Sequence, residues 1–423
     1  MKIWQTPSIA TRAVKNSDLK IQHQCPQCGA PATLLESDRL FSCAYCRVKS
    51  YLLTRGFSQY HLPHKTPDDR ELIYFPYWRF KGMLFSCLAD RTHEKFIDTS
   101  HQACSSTCFP VSLGLRSQAL TLECVSPETK GYFIAPQTSF KAVMTIFNRR
   151  FTRDLASPLL HQAHIGETIS LIYAPYYTNP GLVDAVLNKP LPTRTNSFRP
   201  ENFPGGTPSA RFQFIPAMCP NCGWDLTGSR DAQVLNCAHC HSLWQPGPNG
   251  FSAVPCAHTP TQLQEPVYLP FWRIKADVNG VDLNSYADLA RLANLPKAVQ
   301  KDWEATAFHF WAPAFKVRPR VFLRLMHVLT TAQPPKNLEP GGPRHHCLTA
   351  NLPVSEAIET LRVNVAGLIK PKERVAEWLP HIGIKPRKAL LVYLPFEERP
   401  HELVHNDLNL AVNKNQLSLA WNL

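Results

Sequence analysis

The stretch that decides the fold is Cys25-Pro-Gln-Cys28-Gly29, and 14 residues separate Cys28 from the next pair, Cys43-Ala-Tyr-Cys46. The same arrangement returns later in the chain, at Cys219-Pro-Asn-Cys222-Gly223 and Cys237-Ala-His-Cys240. Two Cys-x-x-Cys pairs at hairpin spacing can place four thiolates tetrahedrally around one metal ion. The glycine after each first pair permits a tight turn there. The sequence therefore predicts two metal sites, with the ligands Cys25, Cys28, Cys43 and Cys46 in one and Cys219, Cys222, Cys237 and Cys240 in the other.

This spacing resembles that of zinc ribbons, the hairpin modules of polymerase subunits, transcription factors and ribosomal proteins. The resemblance covers residues 23–51 and 217–245, and it implies a local fold and two structural Zn²⁺ ions but no partner. Iron in a rubredoxin-like knuckle is the alternative metal, since four thiolates suit both ions. Cys237-Ala-His-Cys240-His241 also matches a haem-attachment motif, but the corresponding Cys43-Ala-Tyr-Cys46-Arg47 lacks the histidine.

The two cysteine motifs belong to a longer internal repeat. Residues 25–81 match residues 219–275 at a constant offset of 194 with 18 identities, including Tyr-x-Pro-x-Trp-Arg-x-Lys at 74–81 and 268–275. Two segments further on, 140–151 and 354–365, carry apolar residues at the i, i+3, i+4, i+7 spacing of an amphipathic helix. We expect an α+β fold that is internally duplicated, each half being a β-hairpin zinc ribbon followed by a mixed, strand-rich α/β body.

The predicted halves are residues 1–200, with a body at about 70–190, and residues 209–423, with a body at about 264–423. Pro, Asn, Thr and Gly-Gly crowd the segment between them, which predicts a linker at about 189–208. The halves could be independent domains or could pair about a pseudo-two-fold axis, and we favour pairing. The N-terminus lacks the apolar core of a secretory signal and no stretch approaches 18 apolar residues, so a cytoplasmic protein without a transmembrane segment is predicted.

The charge balance favours polyanionic partners, because Lys and Arg outnumber Asp and Glu to give a formal net charge of +13. The segment 316–324 reads as a strand with cations at every second position, which would place Lys316, Arg318 and Arg320 on one face. The Trp-Arg-x-Lys strands add a second candidate set. The tentative nucleic-acid contacts are therefore Lys316, Arg318, Arg320, Arg79, Lys81, Arg273 and Lys275. The alternative for the Trp-Arg-x-Lys strands is that the aromatics are core, the proline marks an edge or bulge, and Arg stacks on a neighbouring ring. The alternative for 316–324 is a solvated strand face.

Signatures of catalysis are absent from the sequence. His64 and His258 align in the repeat, and His-Ile-Gly recurs at 164–166 and 381–383, but recurring core histidines are more often structural. Cys104 and Cys108, with His93 and His101 nearby, could form a third metal site, although isolated cysteines are usually buried fillers. A non-catalytic adaptor or scaffold for a protein assembly is the leading hypothesis. A nucleic-acid-binding protein comes second, and an enzyme or redox protein third.

Overall fold

The computed structural model of the protein describes residues 19–64, 70–114, 116–126, 128–153, 155, 158–179, 181–191, 198–207, 211–296, 300–334 and 337–418. The fold is mixed and strand-rich, consistent with the α+β class. The predicted linker at 189–208 and the outer ends of the two predicted halves lie partly outside the described residues.

The first half begins with a four-stranded cysteine module and continues into a curved sheet. Its elements are β1 (Lys20–Gln24), β2 (Pro31–Leu35), β3 (Leu40–Ser42), β4 (Lys49–Arg55), β5 (Ser58–His61), β6 (Ile73–Leu88), β7 (Thr92–Gln102), α1 (Arg116–Ala119), β8 (Thr121–Cys124), β9 (Tyr132–Phe133), α2 (Phe140–Thr152), β10 (Leu159–Asn179), β11 (Gly181–Asp184) and β12 (Lys189–Pro190). The sheet runs in the order β12-β11-β10-β5-β8-β1-β2, and β6 pairs with β10, β7 and β9.

The second half has a cysteine module followed by a smaller sheet with more helices. Its elements are β13 (Arg211–Pro216), β14 (Leu226–Thr227), β15 (Leu235–Cys237), β16 (Leu243–Gly247), β17 (Gly250–Ala253), β18 (Cys256–His258), β19 (Val267–Asn279), α3 (Tyr286–Leu292), α4 (Lys301–Ala305), β20 (Phe310–Pro313), α5 (Pro319–Ala332), β21 (Glu339–Pro340), α6 (Val354–Glu359), α7 (Leu361–Leu368), α8 (Arg374–Trp378), β22 (Gly383–Glu398), β23 (Glu402–His405), β24 (Leu410–Asn413) and α9 (Lys414–Ser418). Short 3₁₀ helices lie at Pro200–Asn202 and Leu379–His381.

The central strand pair of each half is built on the Tyr-x-Pro motif. β6 runs antiparallel to β10 with Tyr74 opposite Pro175 and Pro76 opposite Tyr173. β19 runs antiparallel to β22 in the same register, so that each tyrosine of one motif faces the proline of the other; the pairs are Tyr268 with Pro395 and Pro270 with Tyr393. The two halves therefore share the pairing of their longest strands.

The proline in each motif has a structural reason that differs from the expected edge or bulge. On the side of β6 away from β10, the neighbouring strand is β9 as far as Tyr74 and β7 from Tyr77 onward. Pro76 lies in the gap between these two neighbours. Pro270 lies in the same place in β19, between Tyr268, which forms an isolated bridge, and Phe271, which pairs with the last residue of β20. Because proline lacks a backbone donor, the gap between two neighbouring strands accommodates it without loss of a ladder bond.

The aromatic residues of the Tyr-x-Pro-x-Trp strands are core residues and not surface contacts, which is the alternative given by the sequence. Trp78 and Trp272 are buried, and their indole nitrogens donate to the carbonyls of Thr138 (2.8 Å) and Leu352 (2.9 Å). Those carbonyls immediately precede the helices predicted from apolar spacing. Helix α2 begins after Ser139, whose hydroxyl accepts from the Ala142 amide, whereas the second predicted helix is divided at Thr360 into α6 and α7.

The segment 316–324 is not a strand, and that prediction is wrong. Pro319 opens helix α5, where its fixed φ suits the first turn, Arg318 is the N-cap residue, and Lys316 lies in the preceding loop. The apolar residues recur at helical spacing over the whole element: Val321, Phe322, Leu325, Met326 and Leu329 are buried. The alternation of cations covers only nine residues, whereas the helical spacing of apolar residues covers the whole of α5, so the longer pattern gives the correct structure.

The two halves pack against each other, in line with the expected pairing. Met83, Phe85 and Ile165 of the first half belong to the same buried cluster as the helices of the second half, and the Phe85 and Phe322 rings stack at 5.8 Å. The cysteine modules are joined as well, because β13 adds antiparallel to β4. The Tyr51 hydroxyl donates to the Ala232 carbonyl at 2.8 Å across this junction.

Candidate metal centres

Each cysteine module brings its four thiols into one cluster. In the first, Sγ of Cys25 lies 3.7 Å from Sγ of Cys46, and Sγ of Cys28 lies 3.7 Å from Sγ of Cys43. In the second, the corresponding distances are 3.6 Å from Cys219 to Cys240 and 3.4 Å from Cys222 to Cys237. In each set the four sulfurs all lie within 4.8 Å of one another. The eight predicted ligands therefore form two groups, each able to hold a metal ion.

The spacing of the sulfurs distinguishes a metal site from a disulfide pair. Disulfide sulfurs lie about 2.05 Å apart. Four sulfurs placed about 2.3 Å from a central ion, at tetrahedral angles, lie about 3.8 Å from one another. The observed 3.4–3.7 Å is close to the second value and far from the first. The residues present therefore fit a four-thiolate metal centre.

Four equivalent turns hold the thiols in place. In each, the residue after the second cysteine donates its amide to the carbonyl of the first, at 2.8–3.0 Å, and adopts a positive φ. Gly29 and Gly223 occupy that position in the first turn of each module, as the sequence suggested. Arg47 (φ 61°) and His241 (φ 57°) occupy it in the second turn, which sequence reasoning missed because neither is glycine. His241 thus has the structural place of Arg47.

The thiols within each cluster differ in pKa: polar donors lower the pKa of Cys43 and Cys240 and favour the thiolate that binds metals, whereas burial and hydrogen bonds with neighbouring thiols raise the pKa of Cys46 and Cys222 to about 12. The backbone amide of Cys46 is the main cause that lowers the pKa of Cys43 to about 6. The Ser242 hydroxyl, 2.9 Å from the sulfur of Cys240, is the main cause that lowers the pKa of that thiol to about 5. Ser242 also accepts a hydrogen bond from the Trp244 indole at 2.7 Å. Cys25, Cys43, Cys219 and Cys237 are buried, so one side of each centre faces the module core.

The third metal site considered at Cys104 and Cys108 does not form within the described residues. The two four-cysteine sets are the groups of three or more potential ligands that the described part of the chain brings together. Cys104 is fully buried in an apolar cluster with Phe75 and Phe109, and Cys108 packs against the same cluster. Both act as the apolar fillers that the alternative interpretation predicted.

The recurring histidines occupy different strand positions from those that the sequence match suggests. His61, not His64, lies opposite Tyr173, just as His258 lies opposite Tyr393. Each of these two histidines has a glutamate on the neighbouring strand: His61 Nε2 is 3.6 Å from Glu123, and His258 Nε2 is 3.4 Å from Glu339. The His-Ile-Gly triplets are not equivalent either, because His164 lies within β10 while His381 ends the 3₁₀ helix before β22.

The cations of the first Trp-Arg-x-Lys strand are inaccessible, so they cannot contact a polyanion in this structure. Arg79 is 1% exposed and forms ion pairs with Glu36 and, at 3.0 Å through two nitrogens, with Asp98. Lys81 is also 1% exposed and lies opposite Asp98 on β7. Arg79 therefore forms a buried ion-pair link between the first cysteine module, which supplies Glu36, and the sheet, which supplies Asp98.

The cations of the second such strand have different surroundings. Arg273 and Lys275 are partly exposed, and the pKa of Arg273 is lowered because burial disfavours its charge. Arg273 Nη2 lies 3.3 Å from Nδ1 of His309, and burial, followed by the charges of Arg273 and Lys275, lowers the pKa of His309 to about 4. Further along the same sheet face are Lys385, Arg387 and Lys388, which sequence reasoning missed; the signal was Lys-Pro-Arg-Lys immediately before the apolar run 389–396.

The three cations of the other predicted set are not brought together on a sheet. Arg318 and Arg320 are exposed at the start of α5, whereas the backbone amide of Lys316 donates to the Asn351 side chain at 2.8 Å.

Among the described residues, no helix combines the length and apolar character needed to cross a membrane. Comparison of the chain with protein-family models, with curated proteins and with solved structures finds no match.

Proposed function

We propose that the protein is a non-catalytic scaffold in which two structural zinc ions hold a pair of zinc ribbons as a rigid platform for a protein partner. The observation that carries the proposal is that each closed set of four thiols would occupy every coordination position of a tetrahedral ion. Such a site leaves no position for a substrate or an activated water, so its role is structural. Zinc is preferred to iron because four-thiolate ribbon sites are the common structural form of zinc.

The duplicated origin of the two halves belongs to this proposal. It is supported by equivalent strand registers around the Tyr-x-Pro motifs and by equivalent indole hydrogen bonds of Trp78 and Trp272. The four metal-site turns also share one hydrogen-bond pattern. A duplicated ribbon pair presents two similar tips from one body.

The tips of the ribbons carry the surface suited to a protein partner. Tyr45, inside the second turn of the first ribbon, is 70% exposed. Trp224, next to the first turn of the second ribbon, is 57% exposed and stacks on His239 with ring centroids 5.5 Å apart. Large exposed aromatics on rigid backbone are the residues that most often dominate protein interfaces.

Two measurements test this proposal. Elemental analysis of purified protein is expected to give two zinc ions per chain. The double variant Tyr45→Ala, Trp224→Ala is expected to keep both ions and to lose at least tenfold in affinity for proteins that the wild type captures, since interface aromatics commonly contribute about 2 kcal/mol each. The matched control is Leu187→Ala, Val111→Ala, which removes exposed apolar side chains elsewhere. Equal losses in the two variants would contradict docking through the tips.

A further inference from the structure

The outer face of the β19–β22 strand pair carries an unusual set of charges. Arg273, Lys275 and Asp277 are partly exposed and alternate along β19 with the buried Ile274 and Ala276, so they project away from the core. Across the pair, Lys275 lies opposite Lys388 and Asp277 lies opposite Lys385, with a register shift that accommodates Arg387. The face therefore combines five cations with one carboxylate, a formal excess of +4.

Most of these cations lack a carboxylate partner, although Arg273 lies over the Trp311 ring and Lys275 Nζ is 3.5 Å from the carbonyls of Asn284 and Phe308. Asp277 pairs with Arg387, and Arg387, Lys385 and Lys275, all on this face, lower its pKa. No ion pair links Arg273, Lys275, Lys385 or Lys388 to a carboxylate of the described residues. Like charges directly opposite each other on neighbouring strands are destabilising. The juxtaposition of Lys275 and Lys388 is therefore unfavourable in the free protein and favourable when an anion lies between them.

The first half shows how the same strand positions look when they are purely structural. Arg79 and Lys81 take the places of Arg273 and Lys275, but Glu36 and Asp98 neutralise Arg79, and Lys81 faces Thr168 rather than a lysine. In the second half both carboxylates are replaced. The repeat offset puts Arg230 at the position of Glu36. His309 takes the position of Asp98, because it comes just before Phe310, the residue opposite Ile274.

Solvent access also differs between the two faces. In the first half, the pair that corresponds to Asp277 and Lys385 is Met83 opposite Ile165. Both residues are buried beneath the helices of the second half. In the second half, Lys385, Arg387 and Lys388 are exposed. The second half thus has the same two strand cations as the first without their carboxylate partners, and places three exposed cations beside them, which core stability alone does not require.

We infer that this face, formed by Arg273, Lys275, Lys385, Arg387 and Lys388, binds the phosphate backbone of nucleic acid without sequence preference. Phosphate contacts by Arg and Lys supply most of the affinity of non-specific nucleic-acid binding. The net charge of +13 adds a long-range attraction for the same polyanion. This inference goes beyond the proposed scaffold role and does not depend on the ribbon tips.

The test is the salt dependence of binding, with metal-loaded full-length protein and fluorescein-labelled single-stranded and duplex DNA of mixed sequence. Each phosphate contact on a single strand contributes about 0.7 to the slope of log affinity against log salt. Lys385→Gln, Lys388→Gln is therefore expected to reduce that slope by about 1.4 and to weaken binding about 25-fold at ~0.1 M salt. The charge-reversed variant Lys385→Glu, Lys388→Glu should weaken binding further.

The matched control is Arg318→Glu, Arg320→Glu, which changes the net charge as much as the charge-reversed variant but at the start of α5. The control is expected to bind within about threefold of wild type, because it alters only the screened long-range field. Metal content and thermal unfolding verify that each variant is folded. Three outcomes overturn the inference: no salt-dependent binding by the wild type, equal losses in control and test variants, or tighter binding of polyglutamate than of DNA, which would indicate an acidic protein partner.

Discussion

Removal of a single buried thiol tests the metal assignment most directly. Cys237 is fully buried, and its sulfur lies 3.4 Å from that of Cys222. Its side chain also belongs to the small core, with Tyr51 and Leu226, that joins the two ribbons. Cys237→Ser would therefore remove a ligand from the second centre and leave a hydroxyl in an apolar environment.

The expected effect is large because a structural zinc site contributes about 10–16 kcal/mol of apparent binding free energy. Even if three remaining thiolates kept most of that energy, a loss of about 4 kcal/mol would correspond to about 1,000-fold faster hydrogen exchange by local opening. We expect this loss of protection in 217–247, together with β4, whose Tyr51 is anchored to Ala232. The part of the β6–β10 pair around Phe75 and Ile172 should keep its protection, since it packs in clusters that contain no residue of the second ribbon.

The assay combines elemental analysis with hydrogen exchange, and Cys347→Ser is the matched control. Cys347 is partly buried and lies outside both clusters, so its replacement should leave two ions bound and cost about 1 kcal/mol. Cys237→Ser should retain one ion. Two ions in the Cys237 variant, or an equal loss of metal in the Cys347 variant, would refute the ligand assignment.

Two further predictions concern the charges and histidines of the first half. Glu36→Gln should lower the free energy of unfolding by about 2 kcal/mol, measured by urea titration, because it weakens a buried charged hydrogen bond to Arg79. The same change at the exposed Glu339 should cost under about 0.5 kcal/mol. Similar values for the two variants would show that burial of the Glu36–Arg79 pair is unimportant. Burial lowers the pKa of His164 to about 4 from 6.5, so the unfolded chain binds the extra proton and stability falls as pH drops below 6.5. His164→Gln should therefore remove about 1.3 kcal/mol of the stability loss between pH ~7.5 and ~5.5, and a variant that keeps the full pH dependence would exclude His164 as its source.

The metal ligands were predictable because their geometry is local. Four cysteines within a hairpin determine a site whatever the rest of the chain does, and all eight predicted residues fall into the two clusters. The environments of Arg79 and Arg273 were not predictable, although the two residues occur in the same motif. The carboxylates that neutralise Arg79 come from a different module and a neighbouring strand, so they are far apart in sequence.

Other differences arise from local ambiguity. His61 and His258 share a register although the ungapped match pairs His64 with His258, because the two halves reach the strand by segments of different length. The segment 316–324 alternates like a strand over nine residues, and only the apolar pattern that continues to Leu329 identifies a helix. Periodicity distinguishes the two when the window is long enough.

The addition of β13 to β4 has a consequence for the order in which the protein can fold on the ribosome. The first ribbon is complete in its own cysteines by Cys46, but the strand that borders β4 begins only at Arg211. During synthesis the ribbon therefore presents an unpaired strand edge until the whole first half has emerged, and such edges invite pairing with other chains. Early capture of a metal ion by the four thiols would hold the nascent ribbon in shape during that interval.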